Sequence, residues 1–134
     1  MKITSLEDLK HRKRFGLTQL YPDIPKILVG MATCGQATGA RQVYERMKEK
    51  IRENETEIVV EKTGCIGFCY KEPLVDVIVP GKPRLTYERV NPELAEKIVE
   101  NLSQGRFIEE SIMARLGENG VNDELLFGLM ERYI

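Results

Sequence analysis

Apolar positions follow two patterns along the chain: short uninterrupted runs, and stripes with the spacing of a helix. The run 26–31 (KILVGM) is typical of a strand buried on both faces. A glycine-rich turn follows it and leads into a predicted helix, whose apolar stripe is Ala40, Val43, Tyr44, Met47 and Ile51. Three further strands are predicted at 57–62, 74–79 and 84–88.

A second helix is predicted after these strands. Asn91 is a favourable N-cap, and Pro92 stands at the first helical position, where its missing N–H costs nothing. Gly105 is a natural C-cap. The buried stripe of this helix is predicted to be Leu94, Ala95, Ile98, Val99 and Leu102.

The order of elements is therefore β-α-β-β-β-α. The crossover helix makes the first two strands parallel, and the tight turn at 80–83 joins the last two as an antiparallel hairpin. This order predicts a thioredoxin-like α/β fold, with a mixed four-stranded sheet and flanking helices.

The chain divides into three predicted regions. Residues 1–25 form a lead-in, in which Ser5 caps a short helix through Leu9 and the basic run 11–14 forms a solvated face. Residues 26–105 form the thioredoxin-like domain. Residues 106–134 form a helical extension of two short helices, divided by glycines 117 and 120, whose apolar side chains would dock on the domain or on another chain.

Composition and charge narrow the function classes. The 134 residues are 42% hydrophobic and 31% charged, as expected for one globular domain. No apolar run has the length of a membrane span, and the first residues lack the apolar core of a signal peptide, which predicts a cytoplasmic protein. A net charge of −1 gives no electrostatic case for nucleic-acid binding. The single histidine, His11, lies in a charged stretch, so neither a histidine-based metal site nor a catalytic triad is expected.

Three cysteines carry the candidate chemistry. Cys34 follows the first strand, whereas Cys65 and Cys69 follow the second within the stretch GCIGFCY. Because parallel strands bring their carboxyl ends to one edge of a sheet, we expect all three thiols to converge there. The neighbouring glycines allow backbone amides to approach sulfur closely.

Each cysteine taken alone is better explained as a small buried hydrophobic residue. The C-x3-C spacing is weak evidence, the C-x-x-C pair of thiol–disulfide exchange is absent, and structural zinc usually takes four thiolate or imidazole ligands. Taken together, the glycine-flanked pair and Cys34 at the same edge favour a functional group of thiols.

Two stretches resemble thioredoxin-like [2Fe-2S] ferredoxin domains: 29–40 (VGMATCGQATGA) their first cysteine loop, and 63–74 (TGCIGFCYKEPL) their second. More narrowly, 26–117 resembles the N-terminal domain of flavoprotein subunits related to the NADH-oxidising subunit of complex I, found in NAD-linked hydrogenases and formate dehydrogenases. The resemblance implies a [2Fe-2S] cluster held by Cys34, Cys65 and Cys69.

The sequence departs from this family in the first loop, where the usual spacing is C-x4-C. Counting from Cys34 puts Gly39 at the second ligand position; aligning on the flanking residues instead puts Gly30 and Gly35 at the two positions. A fourth cysteine is missing either way. If a cluster is bound, its remaining ligand would be the Thr33 hydroxyl, a water or a partner's side chain. The alternative is that the cluster has been lost.

The leading hypothesis is an electron-transfer module, either a small subunit or an excised domain of an NAD(P)H-linked flavin-based oxidoreductase. Its implied partners are flavin- and NADH-binding and iron–sulfur subunits, or a second copy. No catalytic residue is assigned, and no G-x-G-x-x-G or P-loop motif is present. The alternatives are a cluster-free docking subunit and a thiol redox enzyme that uses Cys65 and Cys69.

Overall fold

The structure, a computed structural model, describes residues 2–116. A five-stranded mixed sheet forms its centre, with helices that precede and connect the strands. In chain order, the elements are α1 (Leu6–Leu20), β1 (Lys26–Gly30), α2 (Thr33–Ala37), α3 (Ala40–Glu53), β2 (Val59–Thr63), β3 (Val75–Ile78), β4 (Arg84–Tyr87), α4 (Pro92–Ser103) and β5 (Ile112–Leu116), with a single 3-10 turn at Cys69–Lys71 between β2 and β3.

The strands are ordered β2-β1-β3-β4-β5 across the sheet. β1 and β2 are parallel, while β1–β3 and β3–β4 are antiparallel, so the predicted crossover unit and hairpin are both confirmed. The register pairs Gly30 with Thr63, the last residues of their strands. The segments that follow β1 and β2 therefore leave the sheet side by side.

The sheet has one strand more than predicted. Ile112–Leu116 lies in the region expected to be helical, yet it forms β5 and pairs antiparallel with β4, with Leu85 opposite Arg115 and Thr86 opposite Ala114. Without β5, the backbone groups along one side of β4 would lack strand partners, and this tertiary pairing outweighs the helix-like spacing of the apolar residues. The two predicted short helices around glycines 117 and 120 otherwise lie outside the described residues.

Helices α3 and α4 pack on the sheet beside each other. Their predicted apolar stripes are buried in one core with β1, β3 and β4, apart from Tyr44 and Ile51, which are partly buried. Two ion pairs join the helices: Arg46 Nε lies 2.5 Å from Glu96 Oε1, and Lys50 Nζ lies 2.7 Å from Glu100 Oε1. The hydrogen bond from Arg46 lowers the pKa of Glu96.

The predicted cap of α4 is confirmed, since Asn91 Oδ1 accepts a hydrogen bond from the Leu94 N–H at 2.8 Å.

Helix α1 begins where predicted but is longer than predicted. Ser5 caps it, and the Asp8 side chain accepts from the Ser5 N–H in return, a capping box that stabilises the first turn. Hydrogen bonds from Thr4 and Ser5 lower the pKa of Asp8. No residue of helix α1 is buried. Among residues 2–116, no helix is long and apolar enough to cross a membrane.

Candidate functional site

The candidate site lies where β1 and β2 end together. The Met31 N–H donates to the Thr63 carbonyl at 2.9 Å, which extends the pairing of the two strands by one residue. Two segments continue from this point. We call residues 31–39 the first cysteine loop and residues 64–71 the second cysteine loop; they contain Cys34 and the Cys65–Cys69 pair, respectively.

The second cysteine loop brings its two thiols together. The Sγ atoms of Cys65 and Cys69 lie 3.4 Å apart, and both residues are exposed. Two sulfurs bound to one tetrahedral metal at about 2.3 Å lie roughly 3.8 Å apart, so the observed separation fits two ligands on one metal ion. The Gly67 N–H donates to Cys65 Sγ at 3.2 Å, which is the amide-to-sulfur approach expected from the glycines of this loop.

Local packing fixes the shape of this loop. Phe68 packs against a small buried cluster of Leu74, Met113 and Ala114, so the loop is held against the end of the sheet. The Lys71 N–H donates to the Phe68 carbonyl at 2.9 Å and closes the 3-10 turn that contains Cys69. On either side of Phe68, the side chains of Ile66 and Tyr70 are 50% and 48% exposed. The loop thus presents two thiols and two apolar side chains to the surroundings.

Cys34 occupies a different environment in the first cysteine loop. It lies in the five-residue helix α2, which precedes the longer helix α3, and it is half-buried. Its carbonyl accepts from the Thr38 hydroxyl at 2.9 Å. Residues 2–116 contain no group of three or more histidine, cysteine or acidic side chains that could hold one metal ion. Cys34 therefore follows β1 at the sheet edge that carries the pair, but the three thiols do not meet at a single metal position.

A buried acidic residue lies beside the first cysteine loop. A Cβ built on Gly30 would stand 3.3 Å from both carboxylate oxygens of Glu72, and one built on Gly35 would stand 3.3 Å from Glu72 Oε2. The Gly35 position is further closed by the Gly30 carbonyl oxygen, 2.3 Å from such a Cβ. Glu72 is only 6% exposed, and its Oε2 accepts from the Leu74 N–H at 2.7 Å.

Reasoning from the sequence did not single out Glu72. Charged residues are seldom fully buried, so a glutamate between a lysine and a proline is ordinarily assigned to the surface. The available signal was the alignment that puts Gly30 and Gly35 at ligand positions, because two absent side chains leave space that another residue must fill.

Solved structures with the same fold are thioredoxin-like [2Fe-2S] ferredoxins from Aquifex aeolicus. One has a TM-score of 0.61 and 23% identity and is matched over 75% of this chain and 99% of its own. The wild-type ferredoxin from the same organism gives a TM-score of 0.59 at 24% identity, over 69% of this chain and 98% of its own. These structures confirm the predicted thioredoxin-like fold.

A curated relative decides the family. The NADP-reducing hydrogenase subunit HndB of Solidesulfovibrio fructosivorans is 30% identical over 111 residues, which cover 80% of this chain and 88% of the relative. The chain belongs to the HndB family. No protein-family model matches it. The predicted resemblance to ferredoxin domains of NAD(P)-linked hydrogenase complexes is thereby confirmed, and the HndB-family chain spans most of its relative's length.

Proposed function

We propose that this HndB-family chain is an electron-transfer module that carries a [2Fe-2S] cluster within an NAD(P)H-linked oxidoreductase complex. The observation that carries the proposal is the Cys65–Cys69 pair, with its sulfurs 3.4 Å apart on an exposed loop at the end of two parallel strands. When bound, such a cluster supplies one-electron redox chemistry. The chain's own residues would hold the cluster and set its surroundings.

The side chains at this edge of the sheet offer ligands for each of the two irons of the proposed cluster. Cys65 and Cys69 lie close enough to bind one iron after their sulfurs separate by about 0.4 Å. The Gly67 N–H already donates to Cys65 Sγ, where it would offset thiolate charge. For the second iron, Cys34 lies on the same edge and Glu72 offers a buried carboxylate. We assign Cys34, Cys65 and Cys69 as the thiolate ligands.

The surroundings of the pair suit electron exchange with a partner protein. Electron carriers work through brief contacts, so the redox group must lie close to the surface on which the partner binds. Ile66 and Tyr70 flank the two thiols and are about half exposed, and such apolar side chains favour protein contact. The matched relative is named as a hydrogenase subunit, which favours partner subunits that bind flavin, NADH or further iron–sulfur clusters.

The test is anaerobic purification followed by measurement of iron, acid-labile sulfide and the visible spectrum. We expect brown protein with about two irons and two sulfides per chain, the composition of one such cluster. The Cys65→Ser/Cys69→Ser double variant is the matched control and is expected to be colourless. Wild-type protein that stays colourless after anaerobic reconstitution with iron and sulfide would overturn the proposal and favour a cluster-free docking subunit.

A further inference from the structure

We infer that Glu72 supplies the ligand that replaces the missing fourth cysteine: a carboxylate oxygen bound to the second iron. The inference rests on the proposed function. It concerns a residue of this chain that no cysteine pattern identifies, and it begins from the place that the Glu72 carboxylate occupies.

That place is where the missing side chains would project. Gly30 and Gly35 are the positions at which the flanking residues align two ligands, and neither has a side chain. Both Glu72 carboxylate oxygens lie 3.3 Å from a Cβ built at Gly30, and Oε2 lies 3.3 Å from one built at Gly35. One carboxylate therefore fills the space that two cysteine side chains would otherwise enter.

Glu72 also borders the second cysteine loop. It lines a narrow cleft together with Gly30 and with Gly64 and Ile66 of that loop, and Asp76 lines the same cleft. Gly64 and Ile66 are the neighbours of Cys65 along the chain. Glu72 thus lies between the two segments on which the family's ligands are carried.

The charge on Glu72 has no positive partner among residues 2–116. Its one hydrogen bond is from the Leu74 N–H, and no ion pair forms with it. Burial of a carboxylate is costly unless it is paired or bound to a metal. Asp76 differs from Glu72 in this respect. It is also 6% exposed, but it accepts from the Thr86 hydroxyl at 2.5 Å and is paired with Arg84.

Coordination chemistry is consistent with this assignment. A [2Fe-2S] cluster takes two protein ligands on each iron, and Cys65 and Cys69 satisfy one of them. Carboxylates are established ligands of protein-bound iron, and a carboxylate carries the same single negative charge as the thiolate it would replace. Glu72 and Cys34 are then the donors for the other iron.

The experiment compares wild-type protein, Glu72→Gln and the control Asp76→Asn after identical reconstitution with iron and sulfide. The glutamine keeps the size of the side chain and an acceptor for the Leu74 N–H but is a poor ligand. We expect Glu72→Gln to release iron to a chelator on the order of tenfold faster or more, and to shift the electron paramagnetic resonance signal of the reduced cluster. Asp76→Asn should leave both unchanged, since Asp76 is already paired.

A second measurement covers the case in which Glu72→Gln does not fold. Mössbauer spectroscopy of oxidised wild-type protein, loaded with ⁵⁷Fe, should resolve two unlike ferric sites, one of them with oxygen coordination. A single sulfur-coordinated site, or release rates and resonance signals equal in wild type and Glu72→Gln, would overturn the role of Glu72 and leave the electron-transfer proposal intact. Wild-type protein that takes up no cluster would overturn both.

Discussion

The two cysteine loops follow the same edge of the sheet, but the first is tightly packed and the second is open. The first is closed: a side chain at Gly35 would meet the Gly30 carbonyl oxygen at 2.3 Å, and Cys34 is half-buried in a short helix. The second is open: its two thiols are exposed, and nothing lies within 4 Å of a Cβ at Gly64 or Gly67. Under the proposed function, this difference favours the second loop as the principal metal-binding element.

The largest effect is expected from Cys69→Ser compared with Cys34→Ser. Cys69→Ser breaks the thiol pair whose sulfurs already lie 3.4 Å apart, whereas Cys34 has no thiol beside it within residues 2–116, so Cys69→Ser should abolish the visible absorption of the reconstituted protein. Cys34→Ser should weaken that absorption only in part. Visible absorption with far-UV circular dichroism measures both. If the two variants lost the same fraction of the visible absorption, the second loop would not be the principal metal-binding element.

The second effect concerns stability in the closed loop. Gly35→Ala should lower the free energy of unfolding by about 2–3 kcal/mol, because the new methyl group meets backbone at Gly30 that cannot turn away. Urea denaturation of the metal-free protein measures this. A loss below about 0.5 kcal/mol, the range of ordinary surface substitutions, would mean that the first loop is not closed.

A smaller effect is expected at the corresponding glycines of the open loop. Gly67 has φ +92°, a conformation that costs a non-glycine residue about 1 kcal/mol, so Gly67→Ala should destabilise by that amount. Gly64 has no close neighbour and no such φ, so Gly64→Ala is the matched control and should be within about 0.5 kcal/mol of wild type. The same denaturation experiment distinguishes the two, and equal values would argue against the strain at Gly67.

The smallest expected effect concerns the order in which the three cysteines are alkylated. In metal-free protein, an alkylating reagent should modify Cys65 and Cys69 before Cys34, because the first two are exposed and the third is half-buried. Peptide mass spectrometry over time measures the order. If Cys34 is also a ligand, iron loading should protect all three thiols and a chelator should restore their reactivity. Rapid modification of Cys34 in iron-loaded protein would exclude it as a ligand.

Much of the fold could be predicted because its signals are local. The apolar stripe of α4, its cap at Asn91 and the parallel crossover between β1 and β2 were all predictable from spacing. β5 was not, since its formation depends on the unpaired side of β4, which is distant in sequence. At the site, the pairing of Cys65 with Cys69 followed from the loop, whereas the burial of Glu72 depends on contacts with Gly30 and Gly35 across the sheet edge.

The strand order has a consequence for how the molecule avoids unwanted association. An open sheet edge is a template for strand addition and aggregation. Among the described residues the two edge strands are β2 and β5, and both carry charge: Glu61 and Lys62 on β2, with Glu61 paired with the buried Lys26, and Arg115 on β5, which is paired with Glu109. Charged side chains on both edges disfavour strand addition. Under the proposed function, a redox partner would then bind at the loops that follow the strands, next to the proposed cluster.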